Sequence, residues 1–114
     1  MPTSQGFRDL KAYKLAFKLA MEIYRESKHF PKEEIFSLTD QIRRASRSVC
    51  TNIGEGYRKR IYPKMFVSKI VDADGEASET QVWIDFAHAC GYISSILQQR
   101  CRAGYEEVDE CSEE

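Results

Sequence analysis

The sequence contains no apolar run approaching the ~20 residues that cross a bilayer, so neither a membrane-spanning helix nor a membrane partner is expected. Its opening, MPTSQGFRDL, lacks the apolar core of a secretory signal, and the expected compartment is the cytoplasm. The four cysteines, Cys50, Cys90, Cys101 and Cys111, form no CxxC pair and have no histidine at metal-ligand spacing. That pattern argues for reduced thiols over a disulfide framework, with Cys50 and Cys90 as small core fillers. Histidine is equally sparse: His29 falls at a helix end and His88 stands alone on a helix, so neither suggests a ligand. Gly54-Glu55-Gly56 lacks the glycine spacing and strand-loop-helix context of a phosphate cradle. Asp72, Asp74, Glu76 and Glu79 share one helical stretch, but the Glu-x-x-His pattern of carboxylate metal sites in bundles is missing. No catalytic residue, metal or cofactor is therefore expected, and the chain reads as a non-enzyme. There is also no strand pattern with supporting turn chemistry, no low-complexity tract and no repeat.

What is present is charge, unevenly spread. Residues 1–69 hold 15 Lys and Arg against 7 Asp and Glu, whereas residues 70–114 hold 2 against 11, giving +8 and -9 within a net -1. Such asymmetry cancels in part when helices pack as neighbours, and what survives forms patches that meet a partner subunit or a polyanion. At 114 residues the chain is expected to make one domain, residues 1–114, that buries roughly two-thirds of its unfolded surface.

The organising stretch is residues 40–60, DQIRRASRSVCTNIGEGYRKR. Ile42, Ala45 and Val49, extended backwards through Leu38 and Ile35, fall on one stripe of a helix. Asn52 and Gly56 continue that series where Leu or Ile would be usual, with Gln41, Ser48 and Glu55 alongside at intervals of seven. A first helix is expected from Asp9, as its cap, to about Ser27, with Leu10, Tyr13, Phe17, Ala20 and Tyr24 as its apolar stripe, widened by Ala16 and Ile23. His29-Phe30-Pro31 ends it, and Pro31, Glu33 and Glu34 suit the first turn of helix two, which runs to about Lys59. Residues 57–64, YRKRIYPK, read as an exposed basic loop. Helix three follows Pro63, with Phe66, Ile70, Ala73, Ala77, Thr80, Ile84 and Ala87 in strict heptad spacing and small residues in its middle. It breaks near Gly91, and Ser94 or Ser95 caps a fourth helix with Ile96, Leu97, Cys101, Tyr105 and Val108 on its face and a frayed end. The expectation is an all-α, antiparallel up-and-down four-helix bundle, helices two and three long and helix four shorter.

Two residue sets invite a functional reading. Gln41, Asn52, Glu55 and Glu79 could form a polar network in or beside the core, because a buried amide or carboxylate must find partners. Ser78, Thr80 and Gln81 are natural partners, with Arg43 and Arg44 as counter-charges, and the plainer account is a network that only fixes helix register. Arg43, Arg44, Arg47, Arg58, Lys59 and Arg60 make a cationic face, with Tyr57 and Tyr62 nearby, suited to hold phosphates by forked hydrogen bonds and to stack unpaired bases. The plainer account here is a solvated surface, or one that pairs with the acidic half of another copy.

Five motifs together carry a family resemblance across nearly the whole chain. They are FRDLKAYKLA near the start, FP with the acidic residues after it at 30–34, QIRRAS followed by NIGEG within 41–56, ETQVW at 79–83 and GYIS at 91–94. In these the chain resembles the four-helix-bundle proteins first met as products of intervening sequences in bacterial 23S ribosomal RNA, a group that also includes the accessory proteins of diversity-generating retroelements. The resemblance implies an antiparallel bundle assembling as a ring, typically a homopentamer, with no known enzymatic activity. In the retroelement branch it implies a basic adaptor for a reverse transcriptase and nucleic acid. Arg43, Arg44 and Arg47 match the basic part of the family pattern, and Asn52, Glu55, Gly56 and Glu79 match its polar positions. Asp72, Asp74 and Glu76 make helix three more acidic than that pattern, and the stop at Glu114 implies a short fourth helix. The expected function is a self-assembling protein that binds RNA or a nucleic-acid enzyme. The alternative is a purely structural interaction module with no nucleic-acid role.

Overall fold

The computed structural model describes residues 6–112, and the polar lead before Gly6 and the last two residues lie outside them. Four α-helices follow one another: α1 (Lys11–Ser27), α2 (Leu38–Arg58), α3 (Pro63–Ala89) and α4 (Ser95–Ser112). No strand occurs among the described residues. Helix α2 packs most extensively against α3, α1 lies against both α2 and α4, and α3 also touches α4. Consecutive helices are thus neighbours and the first meets the last, as up-and-down connectivity requires. At ~1.5 Å per residue the 27 residues of α3 span ~40 Å, most of the 45 Å length of the molecule.

The core is built largely from small and aliphatic side chains. Ala12, Ala16, Leu19, Ala20 and Ile23 of α1 meet Ile42, Ala45, Val49 and Ile53 of α2, Ala73, Ala77, Ile84 and Ala87 of α3, and Leu97, Cys101, Tyr105 and Val108 of α4. The heptad series of α3 from Ala73 onward is buried as expected, and so is the α2 stripe from Leu38 to Val49. Gly56 lets α2 and α3 close on each other, since a Cβ there would stand 3.3 Å from the Cβ of Lys69.

Several local expectations are corrected. Asp9 does not cap α1: Gly6–Asp9 is a 3-10 turn, Leu10 N–H donates to the Phe7 carbonyl, and the helix starts at Lys11. The buried stripe of α1 is rotated by about one residue, leaving Phe17 50% exposed and Tyr13 and Tyr24 half-buried at the edges. Helix α2 starts later than expected. Lys32–Glu34 form a 3-10 turn, and Glu34 is held there by the Ser37 hydroxyl (2.6 Å) and the Tyr92 hydroxyl (2.9 Å), which leaves Ile35 exposed. Cys90 is exposed at the end of α3 rather than a core filler, whereas Cys101 is fully buried. Ile96 points outward too.

The turn between α3 and α4 forms as the sequence suggests. Gly91 adopts φ +80°, a left-handed conformation that favours glycine, and the Ser94 hydroxyl accepts from the Leu97 N–H to cap α4. The fraying expected of α4 falls beyond Ser112, outside the described residues.

Candidate nucleic-acid interface

The six basic residues of the cationic face separate into a row along α2 and a cluster at its end. Arg43, Arg44 and Arg47 occupy the first half of α2, while Arg58, Lys59 and Arg60 lie where α2 ends and the chain turns toward Pro63. Tyr24 of α1 organises the first group. The Arg43 guanidinium lies 4.9 Å and that of Arg47 5.8 Å from its ring centroid, and Lys28 Nζ lies 4.8 Å away. Arg43 Nε also donates to Ser27 Oγ at 2.7 Å, so a buried serine fixes the direction of that arginine. Arg44 is set apart, exposed and 3.8 Å from Asp40 one turn earlier.

Phe7 and Tyr57 organise the second group. Arg8 stacks 4.6 Å and Arg58 5.8 Å from the Phe7 ring, and Arg60 lies 4.0 Å from the Tyr57 ring while donating to the Tyr57 carbonyl at 2.9 Å. An arginine resting on a ring face is held in place with its charge uncompensated and part of its N–H edge free for phosphate, unlike one locked to a carboxylate. Sequence reasoning alone does not select Arg8, Phe7 or Tyr24. Their pairing with α2 spans long sequence separations, and only the FR pair ahead of the first helical stripe hints at it.

The expected polar network is not assembled. Gln41 is exposed, the Asn52 amide donates back to the Ser48 carbonyl at 2.9 Å, and Glu55 forms an ion pair with Lys69 Nζ at 2.8 Å. The hydrogen bond and charge of Lys69 hold the Glu55 carboxyl below its ordinary range. Glu79 is exposed and pairs with Glu76, whose own pKa is raised by partial burial and by that neighbouring carboxyl. Arg43 and Arg44 serve Tyr24, Ser27 and Asp40 instead of this set. Continuation of a heptad series suggests burial for such residues, but the outward tilt of Glu55 and Glu79 lets water and Lys69 satisfy them.

Burial pushes the Cys50 thiol up to about 11 and the Cys101 thiol up to about 12, so neither is a thiolate near neutral pH. No group of three or more His, Cys, Asp or Glu suited to a metal ion exists among the described residues, and none of their helices is long and apolar enough to cross a membrane.

The outward face of α3 differs in character. Val67, Val71, Val82 and Phe86 of α3 are 49–62% exposed, and with Gly75 and Ser78 between them they form an uncharged outward strip. Helical spacing sets Asp74 and Asp85 along one flank of this strip and Asp72 and Glu79 along the other.

The family model described as 23S rRNA-intervening sequence protein matches residues 8–113. Among solved structures, the chain is similar to a protein of unknown function from the S23 ribosomal protein family from Bacteroides thetaiotaomicron VPI-5482, a crystal structure at 1.70 Å. The two are 22% identical over 89% of this chain and 90% of that one, with a TM-score of 0.78, a likeness of fold. No curated protein sequence matches the chain.

Proposed function

We propose a function from one premise: the chain belongs to the 23S rRNA-intervening sequence protein family. On our reading it is a non-enzymatic, cytoplasmic, self-assembling protein, a homopentamer, that binds RNA through its arginine-bearing side. The observation that carries the RNA reading is the seating of Arg43, Arg47, Arg58 and Arg60 on the rings of Tyr24, Phe7 and Tyr57 in place of carboxylates. Each keeps a net charge for phosphate beside an aromatic surface that can stack an unpaired base.

Self-assembly is supported by the apolar outward strip of α3. Brought together about a two-fold axis, two such strips would set their flanking carboxylates against one another. A basic surface of the next copy is the better complement, and α1 offers one, with Lys14, Lys18 and Arg25 beside exposed Phe17 and Met21. Such a head-to-tail contact closes into a ring of five when it turns each copy by one fifth of a full rotation.

The test is fluorescence anisotropy of a labelled structured RNA across a salt series, with wild type beside an Arg43→Ala, Arg47→Ala, Arg58→Ala variant. Affinity should fall steeply with salt. The variant should flatten the log–log salt slope by about 2–3, at roughly 0.9 for each phosphate left without its arginine, while light scattering gives an unchanged mass. Absence of binding at low salt would sink the RNA reading. It would favour the second one, a structural module, for which the α3 strip is the supporting observation.

A further inference from the structure

At the end of the bundle where α1 begins and α2 ends, two depressions adjoin. One, of about 300 Å³, is lined by Gly6, Phe7, Arg8, Tyr57, Arg58 and Arg60. Three guanidinium groups thus border one hollow, and among the described residues no carboxylate lines it. The other, of about 280 Å³, is lined by Phe7, Tyr13, Cys50, Thr51, Gly54, Glu55 and Arg58, so it shares Phe7 and Arg58 with the first, and the Glu55 carboxylate at its edge is paired with Lys69 Nζ at 2.8 Å. This second hollow is mostly apolar. Phe7 stands edge-on to Tyr13 at 5.0 Å and packs over Gly54, where an added Cβ would lie 3.4 Å from its ring.

The cationic hollow has the charge and forked donors for a phosphate monoester, which carries more negative charge than the diester of an internal linkage. The apolar hollow has the aromatic walls to receive a base, and Phe7, which lines both, stands where a nucleotide's sugar would join its phosphate to its base. Arg8 and Arg58, seated on the Phe7 ring, couple them. We infer that this end of the bundle binds the phosphorylated end of a single-stranded RNA, its terminal phosphate among Arg8, Arg58 and Arg60 and its last base against Phe7 and Tyr13. The inference rests on the RNA reading for its natural ligand, but the site itself can be tested with a mononucleotide.

Calorimetric titration of the full chain with AMP and with adenosine tests the site alone. Competition against a labelled short unstructured RNA by the same sequence ending in 5′-phosphate, 3′-phosphate or only hydroxyls tests it on a polymer. AMP should bind where adenosine does not, and one phosphorylated end should compete about tenfold better than the hydroxyl form, the better end identifying the source of the monoester. Arg8→Ala, at an exposed position, should abolish that advantage, lowering the affinity for phosphorylated RNA about tenfold and that for hydroxyl-ended RNA by much less, with the assembled mass unchanged. Arg8→Lys should retain part of it. RNA binding with no preference for a phosphorylated end would overturn the site and leave the RNA reading standing. AMP bound without any polymer binding would keep the site and end the RNA reading, and failure of AMP to bind better than adenosine would overturn the site.

Discussion

Replacing Tyr105 by Phe should make the protein more stable. Tyr105 is fully buried on α4, and among the described residues its hydroxyl has no hydrogen-bond partner. Thr80 lies beside it, and its hydroxyl, which donates to the Glu76 carbonyl at 2.8 Å, keeps acceptor capacity, but no hydrogen bond of normal geometry joins the two. Burial, the largest influence on the phenol, raises its pKa far above the ordinary value, so the group is neutral near neutral pH. A buried hydroxyl without a partner costs ~1–3 kcal/mol. Removing one oxygen opens a void on the order of 10 Å³, worth roughly 0.2–0.3 kcal/mol at ~24 cal/mol per Å³. The net expectation for Tyr105→Phe is a gain of about 1 kcal/mol, taken at the low end of that penalty. With a urea m-value of ~1–3 kcal/mol/M, the midpoint should rise by roughly 0.3–1 M at unchanged slope. Both proteins must be compared at one concentration, because assembly stabilises the folded chain by mass action. A variant less stable than wild type by about 1 kcal/mol or more would refute the reasoning, since it would mean that the hydroxyl is bonded in the folded protein.

Three further outcomes are expected. Gly104→Ala should destabilise by ~1–3 kcal/mol in chemical denaturation, because its Cβ would lie 2.7 and 2.8 Å from the methyls of buried Leu19; Leu19→Val, by making room, should restore part of the loss. The link between Glu34 and Tyr92 should appear in the pH dependence of unfolding. Hydrogen bonds from Ser37 and then Tyr92 lower the Glu34 pKa, so its contribution is present above the ordinary carboxylate value and is lost as pH falls through the lowered folded value. Tyr92, raised to about 12 chiefly by its bond to Glu34, contributes below about pH 10 and loses that contribution as pH rises from there through 12. Tyr92→Phe should therefore weaken the acid-side loss and remove the alkaline one, and an unaltered pH profile would count against the bond. Finally, Val71→Lys with Val82→Lys on the α3 strip should reduce the mass seen by light scattering to that of one chain without loss of helical circular dichroism. Retention of the assembled mass would mean that copies meet elsewhere.

The order and ends of the helices were largely legible in the sequence because local chemistry fixes them. Pro63 opens α3, Gly91 supplies the left-handed turn, and Ser94 caps α4. The start of α2 was not legible, because a side chain 58 residues away, Tyr92, helps to hold Glu34 outside the helix. The candidate site was half legible for the same reason. Arginines at helical spacing announce a basic face, but whether they are free or bound to carboxylates depends on what α1 and the preceding turn set against them. The structure sets rings there, Tyr24 against Arg43 and Arg47, and Phe7 against Arg58.

Helices α1 and α3 show why choosing a buried face from periodicity alone is ambiguous. Each carries two apolar series: in α1 Ala12, Ala16, Leu19 and Ile23 stand about one residue from Tyr13, Phe17 and Tyr24, and in α3 Ala73, Ala77, Thr80, Ile84 and Ala87 lie on the face opposite Val67, Val71, Val82 and Phe86. Both series satisfy helical spacing, and hydrophobicity alone favours the aromatic one in α1. Size decides between them. Helices that approach closely along their length need small residues at the contact, and α3 meets α2 through Ala73 and Ala77 near the glycine at 56, while α1 meets α4 where Gly104 faces Leu19. The bulky series is displaced to the rim or to the outside. Displacement has opposite consequences on the two helices. In α1 Tyr24 of the aromatic rim falls beside the arginines of α2 and is covered by cations, Tyr13 packs on Phe7, and Phe17 stays half-exposed. In α3 the outward valines and Phe86 stay about half exposed, Phe86 with the Trp83 ring 5.9 Å away, and have acids on both flanks, so the surface least suited to water is also the one whose charge calls for a basic partner.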